Sequence, residues 1–576
     1  MLLARLPSKM DERPWHRHYD PGVPTSIDYE RITLPQMLER AAEATPERTA
    51  LVFARSRLTY RELLSEVRRF AAALEHLGVG RETAVAIHLP NLPQTVIAYY
   101  AVLTLGGRVV LTNPLYTPRE IEHQWKDAGC EVAITGDWLW NRVLELRGRV
   151  PVREFVLASI PEYLPFPWRQ IAPLKLRKAD PPLIARVAPE KGVHRFRDLI
   201  QRQRLSRWPR TGSETDVDLE SIALLQYTGG TTGVSKAAML THRNLSVNAQ
   251  QTRAWLGSTL GEHEVVLNAL PLFHVYGMTV GMNLATLLGG TNVLLPNPRD
   301  TRALVQAIAR ERVTLFPGVP NLYNSLNQYP GIERIDVSSV KYCLSGSAPI
   351  APEVLKRFEE LTGALVIEGF GMTETSPLTH ANPLGGGRKI GTVGLPISDT
   401  DARVVDPGDS ERELPVGVEG ELVVRGPQVM TGYWKREDET RLVLHDGWMH
   451  TGDLSVMDEQ GYFRIVGRKK DMINSGGLKV FPDEVDAVLM SHDAILEAAT
   501  IGVPDEKRGE VVKSFVVRKP GRALDVEEVL RHCRESLAPY KIPREIEFLS
   551  ELPKSSVLKI LRRELREREI AKRRIR

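Results

Sequence analysis

Two apolar periodicities alternate along the chain. LPQMLERAAEATP (Leu34–Pro46) and YRELLSEVRRFAAALEHLGV (Tyr60–Val79) repeat apolar residues at helical spacing and stop at Pro or Gly, which predicts two helices. Short apolar runs at Thr49–Phe53, Thr83–Leu89, Val109–Thr112 and Val132–Thr135 read as strands, with Pro93–Thr104 and Arg119–Gly129 as the helices between them. Strands that alternate with helices imply a mostly parallel sheet, so an α/β fold is expected. The alternation resumes with strands at Ile222–Leu225, Glu264–Ala269, Val313–Pro317, Tyr342–Ser345 and Leu365–Gly369, and a helix at Asn244–Trp255. From about Gly391, short β-rich segments (ARVVD, GELVVRG, YFRIVGR) alternate with turns and predict a small barrel-like subdomain to about residue 469. Residues 470–576 read as a separate small α+β unit, including a helix Val526–Leu537, behind a glycine hinge at Gly476–Gly477. The expected division is therefore 1–469 and 470–576, a large N-terminal domain and a small mobile C-terminal one.

Pro161–Gly212 interrupts the order. It is rich in proline, aromatics and base, and is expected as an exposed insertion, either a membrane-surface or partner-binding element or a loop lying over the body. It carries twelve Lys/Arg against four Asp/Glu, and Lys559–Arg576 carries nine against three, within a chain of net charge +4. Two basic segments on an otherwise acidic body suit anionic lipid, a polyphosphate or nucleic acid, or are solvated arms. No nucleic-acid module is visible.

Composition narrows the class. With 576 residues and 42% apolar content, the chain can hold several packed domains. Cys130, Cys343 and Cys533 stand far apart with no C-x-x-C pair, as reduced thiols of a cytoplasmic protein would. Met1–Met10 lacks a signal-peptide pattern, and the most apolar stretch, Val96–Thr112, is too short to span a bilayer.

The candidate chemistry is concentrated in turns at strand ends. YTGGTTGVSKAAMLTH (Tyr227–His242) packs Gly229, Gly230 and Gly233 among Thr228, Thr231, Thr232 and Ser235, then adds Lys236. Glycine lets the backbone approach a ligand with free N–H groups, and hydroxyls and a lysine complete a phosphate cradle. The spacing does not fit G-x-x-x-x-G-K-[ST] in either register. His274 lies among aromatics in LPLFHVYGM, in a turn suited to facing a ligand. SGSAPI (Ser345–Ile350) leaves room for a flat ring. GFGMTETSP combines Phe370, able to stack on a purine, with Thr373 and with Glu374, a hard-metal ligand type. Asp453 in a Thr-Gly-Asp turn suits a ribose hydroxyl pair, and Arg468 a phosphate or the same ribose. Lys559, taken alone, reads as a surface lysine at the start of a basic helix.

Together YTGGTTGVSKAAMLTH, LPLFHVYGM, GFGMTETSP, HTGDL, GYFRIVGRKKDMINSGG and LPKSSVLKILRREL resemble the ordered motifs of the adenylate-forming enzymes: acyl-CoA synthetases, peptide-synthetase adenylation domains and luciferases. NPLYTPREIEHQWKDAG, TLFPGVPNLY, GPQVMTGYW and LAPYKIPREIEFLSELPKS carry a narrower likeness to bacterial long-chain fatty acid–CoA ligases. The resemblance implies a two-step reaction. A carboxylate attacks the α-phosphorus of Mg²⁺-bound ATP to give an acyl-adenylate and pyrophosphate; the thiol of coenzyme A then takes the acyl group and AMP leaves. By motif position it implies that Thr228–Gly233 and Lys236 cradle phosphates, with Thr228 and Glu374 near Mg²⁺. Gly346, Ser347, Ala348, Glu368, Phe370, Gly371 and Thr373 would surround the nucleotide, and Asp453 and Arg468 would hold its ribose. Lys559 would bridge carboxylate and α-phosphate, with His274 beside the carboxylate. Lys470 would be the hinge, and Ser475, Gly476 and Gly477 would lie near the CoA arm. The chain departs from the usual pattern at Phe370 (commonly Tyr), Ala237 and Leu558 (commonly Gly). Alternatives are a ligase for a medium-chain or aryl acid, and a non-catalytic nucleotide- or fatty-acid-binding relative at a membrane.

Overall fold

A computed structural model describes residues 13–203, 217–228, 235–475, 478–505, 509–555 and 559–575. The gaps take in Gly229–Val234, Gly476–Gly477 and Leu558, so the expectations for those residues lie outside the described ones.

Local signals in the sequence set the helix starts. Thr33, Thr59, Thr117 and Thr241 each close a capping box, and Pro begins the helices Pro93–Thr104 and Pro118–Ala128. Pro93–Thr104 is apolar almost all round and is buried over nearly its whole length. That helix packs against Tyr60–His76 and the first sheet within one large apolar cluster.

The first sheet has seven strands in the order Val193–Arg195, Glu154–Ala158, Val132–Gly136, Ala84–His88, Arg108–Leu111, Ile222–Thr228 and Lys236–Thr241. All neighbours are parallel except the last pair, an antiparallel hairpin. The second sheet joins Ser56–Thr59, Thr49–Phe53, Thr291–Leu294 and Val265–Asn268 to Tyr342–Ser345, Leu365–Gly371, Leu378–Ala381 and Leu395–Pro396. Leu315 links the halves by bridging to Val266 and Tyr342. The expected strand Val313–Pro317 is thus reduced to isolated parallel bridges, at Leu315 to both neighbours and at Gly318 to Ser345. Residues 401–468 form a six-stranded antiparallel half-barrel, and Ile473–Leu549 a separate five-stranded sheet with its own apolar clusters.

Three expectations need correction. The insertion 161–212 is exposed only in part. Val193–Arg195 adds a strand to the first sheet, and Phe196, Leu199 and Ile200 are buried, Phe196 lying 4.3 Å from Phe70 between ring centroids. Thr451–Leu454 is not a turn but part of the strand Trp448–Met457, with Gly452 at φ +69° and a register shift after Leu454. Ala237 stands opposite Tyr227 in the hairpin, so its methyl is buried in regular strand rather than in a turn.

Candidate active site

The hairpin Ile222–Thr228 / Lys236–Thr241 sets one wall. Thr228 and Lys236 face each other across it in register, which places the ends of the glycine loop. The Lys236 ammonium is ion-paired with Glu439 and lies 5.4 Å from the centroid of the Tyr433 ring. Tyr433 reaches the hairpin because its segment bridges to Ala238. Its hydroxyl donates to Glu374 Oε1 at 2.8 Å. Asp127 fastens the same corner, accepting from the Tyr227 hydroxyl at 2.7 Å and from Arg436 at 3.1 Å.

Glu374 sits on the short turn Thr373–Thr375 that follows the strand Leu365–Gly371, and it is buried. Burial pushes its carboxyl pKa up, while the Tyr433 bond and Arg468 oppose the shift. Gly371 in the approach admits no side chain: a Cβ would fall 1.9 Å from the Pro377 carbonyl oxygen. Phe370 is half-buried against the edge of His380 at 6.0 Å, and Thr373 is half-buried beside Glu374. Glu368 is engaged by backbone, accepting from the N–H groups of Gly391 at 3.1 Å and Ile350 at 3.4 Å. Its carboxylate therefore ties the end of the turn Gly346–Ile350 to Gly391. In that turn Gly346 is buried against the Tyr276 ring, while Ser347 (φ +69°) and Ala348 are exposed.

Asp453 and Arg468 are opposed in register on neighbouring strands of the half-barrel and pair at 2.8 Å. Asp453 is buried, which raises its pKa; Arg468 and Lys559 lower it. Lys559 arrives from the far end of the chain. Its loop is pinned where Ser555 N–H donates to the Lys559 carbonyl (2.8 Å), Leu561 N–H donates to Pro553 (2.9 Å), and Arg562 pairs with Asp483 and Asp486. Lys559 is exposed. Desolvation and Arg468 pull its pKa down to about 8, with Asp453 and Asp483 acting the other way. Lys236, Arg468 and Arg562 are ion-paired; Lys559 has no ion-pair partner among the described residues.

His274 feels the charge of Lys559, and burial with that charge lowers its pKa to about 4, so the ring is neutral at pH 7. Its Nδ1 accepts from Tyr276 N–H at 3.3 Å, which leaves the proton on Nε2. The Tyr276 hydroxyl donates to the Leu344 carbonyl at 2.5 Å. Leu344 also lines a narrow apolar slit with Trp255, Val280, Phe316, Tyr342 and Ile367. Lys470 is exposed in the turn after Arg468, and Ser475 is buried at a strand end opposite Gly509.

Residues 38–434 match the model of the AMP-binding enzyme family. The chain belongs to that family. Residues 484–559 match the AMP-binding enzyme C-terminal domain, so the two models take in both the hairpin and Lys559. This AMP-binding enzyme is 42% identical to the long-chain-fatty-acid–CoA ligase of Bacillus subtilis (strain 168), over 97% of this chain and 98% of the other. The ligase of that name from Yersinia pestis is 40% identical, with the same coverage. Among solved structures, the anthranilate CoA ligase AuaEII in complex with anthranoyl-AMP superposes with a TM-score of 0.81 at 26% identity, covering 93% of this chain and 97% of that one. No described helix is long and apolar enough to cross a membrane.

Asp127, Tyr433, Glu439, Asp483 and Arg562 were not legible as site residues. Each meets a candidate residue or its support through a partner distant in sequence, and no local spacing marks such a pairing.

Proposed function

We propose that this enzyme activates a long-chain fatty acid with ATP, through an acyl-adenylate, and transfers the acyl group to coenzyme A with release of AMP. The observation that carries the reading is that Lys559, which has no ion-pair partner among the described residues, acts electrostatically on neutral His274 and on the Asp453–Arg468 pair. Adenylation brings a carboxylate onto the α-phosphate, so two anions must meet. An unpaired cation aimed there neutralises developing charge, and ion-paired cations do so less.

In this reading Asp453 accepts from the ribose hydroxyls, held in place by Arg468. Gly346, Ser347 and Ala348 form one side of the adenine site, and Phe370 the other. Thr228, the glycine loop and Lys236 take the β- and γ-phosphates, Lys236 exchanging Glu439 for phosphate. His274 donates from Nε2 to the acid's carboxylate, and the acyl chain enters the slit lined by Phe316, Leu344 and Ile367, which would widen as side chains turn. The chemistry of the donors fits Mg²⁺: Glu374 is a buried carboxylate, a hard oxygen ligand whose Oε1 is held by the Tyr433 hydroxyl, and Thr228 carries a hydroxyl. Such a site suits an ion that keeps waters and phosphate oxygens. Thr228 and Glu374 would hold it, and it would supply charge neutralisation on the leaving pyrophosphate.

Residues 1–469 and 470–576 are read as two domains turning about Lys470, so that Lys559 withdraws and Ser475–Gly477 approaches the CoA arm. Peripheral contact with an anionic membrane belongs to the same reading. The test is pyrophosphate release with ATP, Mg²⁺ and a panel of acids, with and without CoA. Release greatest with long-chain acids and a CoA-thioester product is expected; release with aryl acids alone would overturn the acid class.

A further inference from the structure

The helix Trp168–Leu176 buries none of its side chains. Trp168 (53% exposed), Ile171 (49%) and Leu174 (66%) recur every third residue and so share a face, and Phe166 (80%) stands at its entry. Of the fourteen large apolar side chains exposed among the described residues, five fall between Phe166 and Leu183. That concentration is unlike the single scattered apolar residues of an ordinary surface. Arg169, Lys175, Arg177 and Lys178 are exposed around the same helix, and none is ion-paired with a described residue.

The second basic segment is built differently. In the helix Arg562–Ile575, Arg562 pairs with Asp483 and Asp486, Arg563 with Glu567, Arg566 with Glu510, Arg568 with Glu564, Lys572 with Glu547 and Arg573 with Glu545. Six of its cations are thus neutralised internally. A run of exposed apolar side chains edged by cations without ion-pair partners among the described residues is found on Phe166–Lys178, whereas the described cations of the helix Arg562–Ile575 are paired.

We propose that Phe166–Lys178 is the membrane-docking element. Phe166, Trp168, Ile171 and Leu174 enter the interfacial layer of an anionic leaflet, and Arg169, Lys175, Arg177 and Lys178 lie at the level of the lipid phosphates. An aromatic and aliphatic face edged by basic side chains is the composition that interfacial helices use. Each basic residue near an anionic surface adds several-fold to binding, an advantage that salt screens. The proposal deepens the membrane contact proposed above and is independent of which acid is activated.

The test is co-sedimentation of the full chain with phosphatidylglycerol-containing vesicles and with pure phosphatidylcholine vesicles, at low and high salt. Binding to the anionic vesicles at low salt, reduced on the order of tenfold by high salt, is expected. R169Q/K175Q/R177Q/K178Q and, separately, W168S/I171S/L174S should each weaken it on the order of tenfold, while R563Q/K572Q in the tail leaves it unchanged. Both helix variants alter only exposed side chains, and far-UV circular dichroism checks that they fold. Their CoA-thioester formation from a dispersed acid without vesicles should equal wild type. Wild-type vesicle binding by both helix variants would overturn the proposal, as would failure of the wild type to bind anionic vesicles. Vesicle binding by a wild-type chain that forms no thioester would sink the proposed reaction and leave the docking element standing.

Discussion

Lys236 and Lys559 are the two lysines that the motif pattern aims at phosphate, and the molecule treats them in opposite ways. Lys236 is fixed on a strand, opposite Thr228, with Glu439 as its counter-ion and Tyr433 beneath it. Lys559 rides on a loop of the C-terminal sheet, has no ion-pair partner among the described residues, and has its pKa pulled down to about 8. A paired cation on a rigid hairpin suits a holding role, because its charge is already compensated and its place does not change. A cation without an ion-pair partner among the described residues, carried on a separate sheet, suits the role proposed for it at the reacting centre of one half-reaction. The difference teaches that residue type and proximity do not assign the role; the counter-ion and the element that carries the lysine do.

The largest effect should come from Lys559→Ala. Steady-state formation of the CoA thioester should fall in kcat/KM by about 10²–10³, the scale of losing one preorganised charge in the transition state. A loss below about tenfold would put the two lysines on the same footing. Next, adenylation kcat/KM should decline by about tenfold per pH unit above pH 8. The Lys559 pKa is lowered from its ordinary 10.5, so the ammonium is present below pH 8 and absent above it. In Lys559→Arg the residual activity should lack that decline, since a guanidinium stays charged. Lys236→Ala should raise KM for ATP by about tenfold, equivalent to ~1.4 kcal/mol, with kcat changed only a few-fold. A kcat loss equal to that of Lys559→Ala would erase the comparison. The smallest effect on turnover is expected from Tyr433→Phe, which leaves the buried Glu374 without its hydroxyl donor. It should cost about 1–3 kcal/mol in denaturant unfolding, and an unchanged midpoint would show that Glu374 is satisfied in another way.

Much of the fold was legible because periodicity and punctuation agree. Thr49–Phe53 and Pro93–Thr104 form where the pattern puts them, the first as a short apolar run and the second behind a Pro start. The strand Lys236–Thr241 was not legible. KAAMLT is short and small, and it is a strand because the hairpin returns it beside Ile222–Thr228. Phe196–Arg202 was hidden by the basic, proline-rich sequence around it, although Phe196 packs on Phe70. In the candidate site, the glycine- and threonine-rich motifs could be singled out from sequence, since glycines clustered with hydroxyls are a local pattern. Tyr433, Glu439 and Asp483 could not, because their meaning lies in partners brought to them by the fold. The bonds that hold Glu368 were not legible either, because the Gly391 and Ile350 N–H groups that its oxygens accept from are brought to it by the fold.

The most direct test of the division of labour is single-turnover measurement of both half-reactions in Lys559→Ala. Pyrophosphate release from ATP and a long-chain acid should be lost, while thioester formation from preformed acyl-adenylate and CoA stays within a few-fold of wild type. Equal loss in both half-reactions would contradict the account.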